Sequence, residues 1–245
     1  MDMLGLGLVV LCGALLLVLP WFKRKGAPRL RPIPALTRLY RAVGLSVEDG
    51  TRLLVGLGGE SLLAKSGAAA LAGLGVLREV TKRTSVGDSP PMAVAGESAL
   101  ALLAQDTLQA GYQSVGAVEY FQPMTGRLAG MTPFSSAAGT MPLMADENVS
   151  AAVLAGHFGL ESALLADAAE RGRVLLVGST DDPPAQAALY AAAGEVLIGE
   201  ELFAAPAYLG AGPAHAASLT IQDFLRWMII IALVSGTALK LFGII

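Results

Sequence analysis

Apolar residues are concentrated at the two ends of the chain. Residues 3–22 carry no charge over 20 positions, and residues 227–245 carry only Lys240. At about 1.5 Å per residue, a helix of this length spans roughly 30 Å, the thickness of the hydrocarbon core of a membrane. The pattern predicts two transmembrane helices, at 1–22 and 227–245, on either side of a soluble body.

Between these ends, short apolar runs typical of strands alternate with Ala- and Leu-rich runs typical of helices. Strands are predicted at 51–57, 91–96, 114–121, 127–134, 151–157 and 173–179, and helices at 62–83, 98–111, 161–172 and 183–194. Continuous apolar strands alternating with helices are typical of a parallel sheet covered on both faces. We therefore predict an α/β domain over 51–209, with a mostly parallel sheet and helices on both faces.

Two connecting segments differ in composition from this domain. Residues 23–50 contain three prolines and a run with helical apolar spacing at 35–45, which predicts a stiff linker and a short helix near the membrane surface. Residues 210–226 begin with a Gly- and Ala-rich stretch, which predicts a flexible linker into the second membrane helix. The segment 122–148 has the weakest pattern of the body, and beyond residue 134 no element is predicted in it.

Charge predicts the orientation in the membrane. Seven basic residues and no acidic residue lie between positions 23 and 41. The positive-inside rule places such a segment in the cytoplasm, so both termini are expected outside. A cleaved signal peptide is the alternative for the first segment, but only Asp2 precedes the apolar run, where a signal peptide carries basic residues. Basic side chains of this segment are expected at lipid headgroups: Lys23, Arg24, Lys25, Arg29 and Arg31.

The body carries the opposite charge. Residues 42–222 contain eight basic and eighteen acidic residues, a balance of −10. Binding to nucleic acid depends on basic patches that neutralise phosphates, so nucleic acid is not an expected partner. The expected partners are membrane lipids, further copies of the chain and other membrane proteins.

A Glu-Ser pair occurs three times at a predicted junction between a strand and a helix. Glu60-Ser61, Glu97-Ser98 and Glu161-Ser162 each follow an apolar run and a glycine and precede a helical run. A carboxylate at a helix start meets free backbone N–H groups and the positive end of the helix dipole, which is a sufficient structural reason for the pattern. The alternative is a ligand or cation site, because strand-to-helix junctions of a parallel sheet share one edge. That site would comprise Glu60, Glu97, His157 and Glu161.

No catalytic, nucleotide or metal motif is present. The run 56–61, GLGGES, ends in serine where the dinucleotide fingerprint has glycine, and no serine lies in a G-x-S-x-G elbow. One cysteine, Cys12, and two histidines form no zinc motif. We therefore expect no cofactor, no metal centre and a non-enzymatic protein. A hydrolase that uses His157 and Glu161 as an acid–base pair is kept as the enzymatic alternative.

Two long segments carry a resemblance to a known family. The run from Pro133 to Gly172, PFSSAAGTMPLMADENVSAAVLAGHFGLESALLADAAERG, and the run IGEELFAAPAYLGAGPAHAASLTIQDFLRW at 198–227 resemble a bacterial membrane-protein family known only as a domain of unknown function. The segment PIPALTRLYRAVGLSVEDGTR at 32–52 resembles it too. The resemblance implies a protein anchored by two helices in the bacterial inner membrane. It implies no activity, substrate or catalytic residue.

Together these features predict a membrane-anchored scaffold or assembly protein that self-associates, in a ring parallel to the membrane. The second membrane helix carries small residues, Ser235 and Gly236, that permit close helix packing, and residues 195–212 are apolar enough to bury against another subunit. Two alternatives stay open. One is a ligand- or cation-binding sensory module at the Glu-Ser edge, and the other is an accessory subunit of an oligomeric channel or transporter.

Overall fold

The structure, a computed structural model, describes residues 7, 10, 13–14, 31–193 and 195–241. The chain divides into two compact units. The first spans Arg31–Gly210, and the second contains the terminal segments Met1–Leu30 and Ala211–Ile245.

The first unit is built around six strands, in the order β3-β2-β1-β4-β5-β6, and every neighbouring pair is parallel. The predicted α/β domain with a parallel sheet is therefore confirmed. The strands are β1 (Arg52–Gly58), β2 (Met92–Ala95), β3 (Gly126–Leu128), β4 (Val149–His157), β5 (Leu175–Thr180) and β6 (Glu195–Leu197).

Helices cover both faces of this sheet. Along β1, Leu53, Val55 and Leu57 join one buried cluster and Leu54 joins the other, because successive side chains of a strand point to opposite faces. The first face holds α1 (Pro34–Glu48), α2 (Gly67–Thr84), α3 (Ser98–Ser114) and α7 (Glu201–Tyr208). The second face holds α4 (Pro133–Asp146), α5 (Ser162–Gly172) and α6 (Pro183–Ala192).

Helix α1 packs against the body through its apolar face. Leu36, Leu39 and Val43 recur at helical spacing and are buried in the first-face cluster. Pro34 opens the helix in its first turn, where a missing N–H costs nothing. The short helix predicted at 35–45 is thus present, and its apolar side is occupied by the domain core.

The structure differs from the predicted elements between residues 114 and 146. The strand expected at 114–121 is absent, since α3 continues to Ser114 and a 3₁₀ turn spans Val118–Tyr120. Helix α4 was not predicted at all. Its start is fixed by a capping box, in which the Thr132 hydroxyl accepts from the Ser135 N–H and the Ser135 hydroxyl accepts from the Thr132 N–H. Pro142 lies inside the helix and obscured its pattern.

The segment 195–212 is buried within its own subunit. Leu197, Leu202 and Leu209 are at most 2% exposed and pack into the first-face cluster. These side chains are therefore not available to another subunit, and the expected contact through this segment is wrong for them. The apolar composition reflects β6 and α7, two elements that were not predicted.

The second unit contains α8 (Pro213–Leu241), a helix of 29 residues. It is the single helix among the described residues that is long and apolar enough to cross a membrane. It begins inside the segment 210–226 that was interpreted as a linker. Near the N-terminus, Gly7, Val10, Gly13 and Ala14 are helical, and the rest of the predicted first membrane helix lies outside the described residues, as do Lys23, Arg24, Lys25 and Arg29.

Candidate functional site

The order of the strands indicates that a site would lie at the carboxyl ends of the strands. The chain winds from β1 toward β3 on one side and from β4 toward β6 on the other, so the direction reverses between β1 and β4. Open α/β sheets bind ligands beyond the carboxyl ends of their strands at such a switch point. We call the loops 59–66, 96–97, 129–132, 158–161 and 181–182, which follow the first five strands, the carboxyl edge.

Glycines bring the strand ends together at the switch point. Gly58 closes β1 with a φ of 79°, and a Cβ there would lie 2.2 Å from the carbonyl oxygen of His157. No side chain larger than hydrogen fits that approach. The Gly96 N–H, at the end of β2, donates to the Gly58 carbonyl at 2.8 Å. The backbone of His157 is therefore held tightly beside β1.

His157 lies between two carboxylates at this point. Its Nδ1 is 2.7 Å from Oδ1 of Asp181, a hydrogen bond, and its Nε2 is 3.7 Å from Oε2 of Glu60, an ion-pair distance. The three side chains are 32%, 25% and 37% exposed for His157, Asp181 and Glu60. The cluster of Glu60, His157 and Asp181 is thus half-buried and open to solvent at the switch point.

Asp181 was not among the predicted site residues, and its neighbours explain its role. The Thr180 hydroxyl accepts from the Phe158 N–H at 3.0 Å and donates to the Phe158 carbonyl at 2.9 Å, which fastens the end of β5 to the chain after β4. Asp182 caps α6 by accepting from the Ala185 N–H. Asp181 and Asp182 follow each other at the end of β5, where either could cap the next helix. Only one of them caps the helix, and the other is free to orient His157.

The three Glu-Ser junctions share the edge without sharing a site. Glu97 caps α3, because its Oε2 accepts from the Leu100 N–H at 2.7 Å. Glu161 is 8% exposed, and its Oε1 accepts from the Gly159 N–H at 2.8 Å within the turn after β4. Glu60 alone faces His157. The acid–base pair suggested for His157 and Glu161 is therefore not formed, because the Glu161 carboxylate is hydrogen-bonded to the backbone of its own turn.

A comparison of the chain with protein families gives one match. The family described as a domain of unknown function, DUF6754, matches residues 3–245. The chain belongs to this family. No curated protein and no solved structure matches it. Membership in DUF6754 confirms the resemblance to an uncharacterised family.

The cluster of this DUF6754 chain offers hydrogen-bond acceptors to a ligand. Nδ1 of His157 is hydrogen-bonded to the Asp181 carboxylate, so Nε2 is the ring nitrogen left to a ligand, beside the acceptor oxygens of the Glu60 carboxylate. No hydroxyl or thiol of a described residue hydrogen-bonds to that Nε2, so the third member of a nucleophilic triad is not in place there. The arrangement favours binding of a donor-bearing molecule.

A metal ion or a phosphate suits the same edge less well. Among the described residues, no group of three or more His, Cys, Asp or Glu side chains is placed to hold a metal ion. Asp181 and Glu60 lie at opposite nitrogens of His157, so they cannot share one ion bound at Nε2. Helix α2 begins at Gly67, well beyond the end of β1, and no helix start directly follows that strand to bind phosphate.

The remaining predicted site residues lie elsewhere. Arg31, 76% exposed, pairs with Glu201 at 2.6 Å, so its charge is engaged within the first unit. Ser235 and Gly236 lie on α8, and no described heavy atom lies within 4 Å of a Cβ built on Gly236. Space for a close helix contact is therefore present at this position of α8.

Proposed function

We propose that the protein is a membrane-anchored ligand-binding module whose ligand lies at the carboxyl edge, over the cluster of Glu60, His157 and Asp181. The observation that carries this proposal is the hydrogen bond of 2.7 Å from His157 to Asp181, which orients an imidazole at the switch point and leaves Nε2 and Glu60 facing solvent. Rigid polar groups at the switch point of an open α/β sheet are the usual basis of a binding site.

The chemistry of the cluster indicates the class of ligand. The Glu60 carboxylate accepts hydrogen bonds, so the matching ligand carries hydroxyl or amino groups. Carboxylates repel phosphate, and the body as a whole has a charge balance of −10 between residues 42 and 222. A small neutral polyol or amino compound therefore fits better than a phosphorylated one. Such a ligand would make this protein a sensory module at the membrane.

The experiment that tests this function measures ligand-dependent stability of the full chain in detergent. A panel of polyols, amino compounds and divalent cations is screened by thermal unfolding, because a ligand that binds the folded state raises Tm. The protein variants are His157→Ala and the control His215→Ala, which replaces the exposed second histidine, on α8. Stabilisation lost in His157→Ala alone supports the proposal. Absence of any stabilising compound, or stabilisation only by cations, contradicts it.

We further propose that two helices anchor this module in the bacterial inner membrane, with the body in the cytoplasm and both termini outside. The support is the apolar length of α8, the 20 uncharged residues at 3–22 and the basic segment that follows them. A periplasmic phosphatase fused to the C-terminus should be active in intact cells, whereas a C-terminal fluorescent protein should stay dark. The reverse pattern would refute this orientation.

A second candidate function is self-association into a scaffold, and one surface favours it. Around β3, an edge strand of the described sheet, Tyr120, Met124, Met131 and Phe134 are between 63% and 77% exposed. An edge strand with exposed apolar neighbours suits an isologous contact with a second copy. Light scattering in detergent should give an oligomer that Met131→Ser with Phe134→Ser dissociates, and that Tyr190→Ser, an exposed aromatic elsewhere, leaves intact. A monomer for the unmodified chain excludes this candidate.

A further inference from the structure

His157 has a carboxylate at each of its ring nitrogens, at unequal distances. Nδ1 lies 2.7 Å from Oδ1 of Asp181, which is a hydrogen bond, and Nε2 lies 3.7 Å from Oε2 of Glu60, which is too long for one. A neutral imidazole carries one N–H, and an ionised carboxylate only accepts hydrogen bonds. A neutral ring can therefore bond to one of the two carboxylates, and the two distances match that arrangement.

Protonation of His157 changes the number of hydrogen bonds that the ring can donate. Both nitrogens of an imidazolium carry a hydrogen, so each nitrogen can donate to a carboxylate. Charge-assisted N–H···O bonds are about 2.7–2.9 Å long, so the Glu60 carboxylate must approach Nε2 by roughly 1 Å to form the second bond. Histidine is the side chain that ordinarily changes its charge between pH 5 and 8. Acidification over this range therefore draws Glu60 toward His157.

The His157 side of this contact is fixed by its neighbours. A Cβ on Gly58 would lie 2.2 Å from the His157 carbonyl oxygen, so the backbone has no room to shift toward β1. The Thr180 hydroxyl bonds both the N–H and the carbonyl of Phe158, the next residue. Asp181 holds the ring itself. A shorter contact must therefore come from a movement of Glu60.

The loop 59–66, which carries Glu60, is built so that it can move. None of its residues is buried, and Leu63 is 98% exposed. Its backbone bonding beyond Glu60 is local, as in the Ala64 N–H that donates to the Ser61 carbonyl at 3.0 Å. Segments with few buried contacts open and shift at a low cost in free energy. Little packing therefore opposes an approach of this loop to His157.

Other charged groups do not replace Glu60 at Nε2. Asp182 accepts from the Ala185 N–H, and Glu161 accepts from the Gly159 N–H. Lys65 lies exposed on the loop 59–66. The elements that pack against β4 carry their other charged residues as follows: Arg52 at the start of β1, Arg38 (paired with Glu195), Arg41 and Glu48 on α1, none before Arg78 on α2, and Asp146 at the end of α4.

We propose that the contact between Glu60 and His157 is a pH-sensitive latch on the ligand site. At neutral and alkaline pH the ring bonds to Asp181 alone, and the Glu60 carboxylate is open to a ligand. In acid the imidazolium binds both carboxylates, and the loop 59–66 closes over the switch point. A proton on His157 and a ligand therefore compete for Glu60. This competition rests on the function proposed above, whereas the latch itself can be tested in the ligand-free protein.

A fluorine label on the loop measures its response to pH. Cys12 is the single cysteine of the chain, so Cys12→Ser combined with Leu63→Cys gives one site for a trifluoromethyl label. Spectra of the ligand-free full chain in detergent are recorded between pH 5 and 8, and the ring resonances of His157 are followed in the same samples. The label should shift by more than its line width, with the same pH midpoint as the His157 ring. A label at Leu102→Cys, an exposed position on α3, should not shift.

Two variants separate movement of the loop from a direct effect of the histidine charge on the label. Glu60→Ala should abolish the shift of the label while the His157 ring still titrates. His157→Ala should abolish the shift too, and the control His215→Ala should leave it unchanged. A label that does not move in the unmodified sequence, or that moves equally in Glu60→Ala or in His157→Ala, would overturn the latch.

The ligand screen described above gives an independent result. A stabilising compound together with a label that does not respond to pH refutes the latch alone. A label that responds as expected, without any stabilising compound, refutes the ligand-binding function alone.

Discussion

The two edges of the sheet are constructed in opposite ways. At the carboxyl edge the backbone is tightly packed, since a Cβ on Gly58 would lie 2.2 Å from the His157 carbonyl. Polar groups there bind one another, as His157 does Asp181. At the amino edge, where the strands begin, a Cβ on Gly50 would meet open space, and Tyr112 lines a cavity of about 560 Å³.

This difference determines which kind of site each edge can support. The carboxyl edge fixes a few polar atoms rigidly and exposes them to solvent, which suits recognition of a polar molecule by hydrogen bonds. The amino edge provides volume, in a cavity that Asp88 and Glu119 help to line. The sheet order explains the polar cluster, whereas the cavity depends on how α3 and the chain after it cover the end of the sheet.

The largest expected effect tests the tight packing of the carboxyl edge. Gly58→Ala should destabilise the protein by about 3 kcal/mol or more, because the new Cβ meets backbone and because φ at 79° is unfavourable for alanine. The control is Gly50→Ala, with a φ of 64° and open space, where the backbone term alone should cost about 1–2 kcal/mol. Chemical denaturation measures both. Equal losses of stability in Gly58→Ala and Gly50→Ala would contradict the tighter packing of the carboxyl edge.

A second test separates the three similar junctions within the carboxyl edge. Glu161→Ala should cost about 2 kcal/mol, since it removes a buried carboxylate and leaves the Gly159 N–H without its acceptor in a half-buried turn. Glu97→Ala should cost about 1 kcal/mol, the usual loss of a helix cap. Glu60→Ala should cost less than about 0.5 kcal/mol, because among the described residues the contact of Glu60 is the long one with His157. Equal values in urea unfolding would mean that the glutamates share one role.

The sheet and most of its elements could be predicted from the sequence, because local patterns determine them. The strands at 52–58 and 149–157 are apolar runs buried on both faces, and that pattern is visible without a structure. Helix α4 was missed because Pro142 lies inside it and interrupts its pattern, whereas Pro133 is in the first turn, where proline is tolerated. Its Thr132–Ser135 capping box was the signal that could have revealed it.

The candidate site could be predicted only in part, for a different reason. Glu60 follows a strand-like run and His157 ends one, which identified them as candidates, and they do lie together. Glu97 and Glu161 lie in the same Glu-Ser junction as Glu60. Only the geometry of each turn shows that their carboxylates are hydrogen-bonded to backbone N–H groups. Asp181 pairs with His157 through the neighbouring positions of β4 and β5, a contact between residues 24 positions apart. Strand order, which sequence patterns do not specify, creates that contact.

Alkaline pH tests the amino edge. The pKa of Tyr112 is raised above its ordinary value of 10.0 by burial, with Arg52 opposing, and the pKa of Tyr208 is raised by burial too. Above pH 10 the unfolded chain therefore loses these protons first. Stability should fall as pH rises from 10 toward the folded-state pKa values, by at most about 1.4 kcal/mol per pH unit for each group. Tyr112→Phe should flatten this decline in denaturation curves, and Tyr190→Phe, an exposed tyrosine, should not. If stability declines as steeply above pH 10 in Tyr112→Phe as in the unmodified protein, the Tyr112 hydroxyl is not the cause of the decline.

The smallest effect compares two hydroxyls, one at each edge. Ser179, one residue before the end of β5, is fully buried and has no hydrogen-bond partner among the described residues, whereas Tyr112 faces a cavity. Ser179→Ala should raise the free energy of unfolding by about 1 kcal/mol, because it removes a polar group that nothing satisfies. Tyr112→Phe should change it by less than about 0.5 kcal/mol, because solvent reaches the cavity. If Ser179→Ala instead lowers stability, its hydroxyl has a hydrogen-bond partner in the folded protein. The carboxyl edge would then be less tightly packed, and less different from the amino edge, than described above.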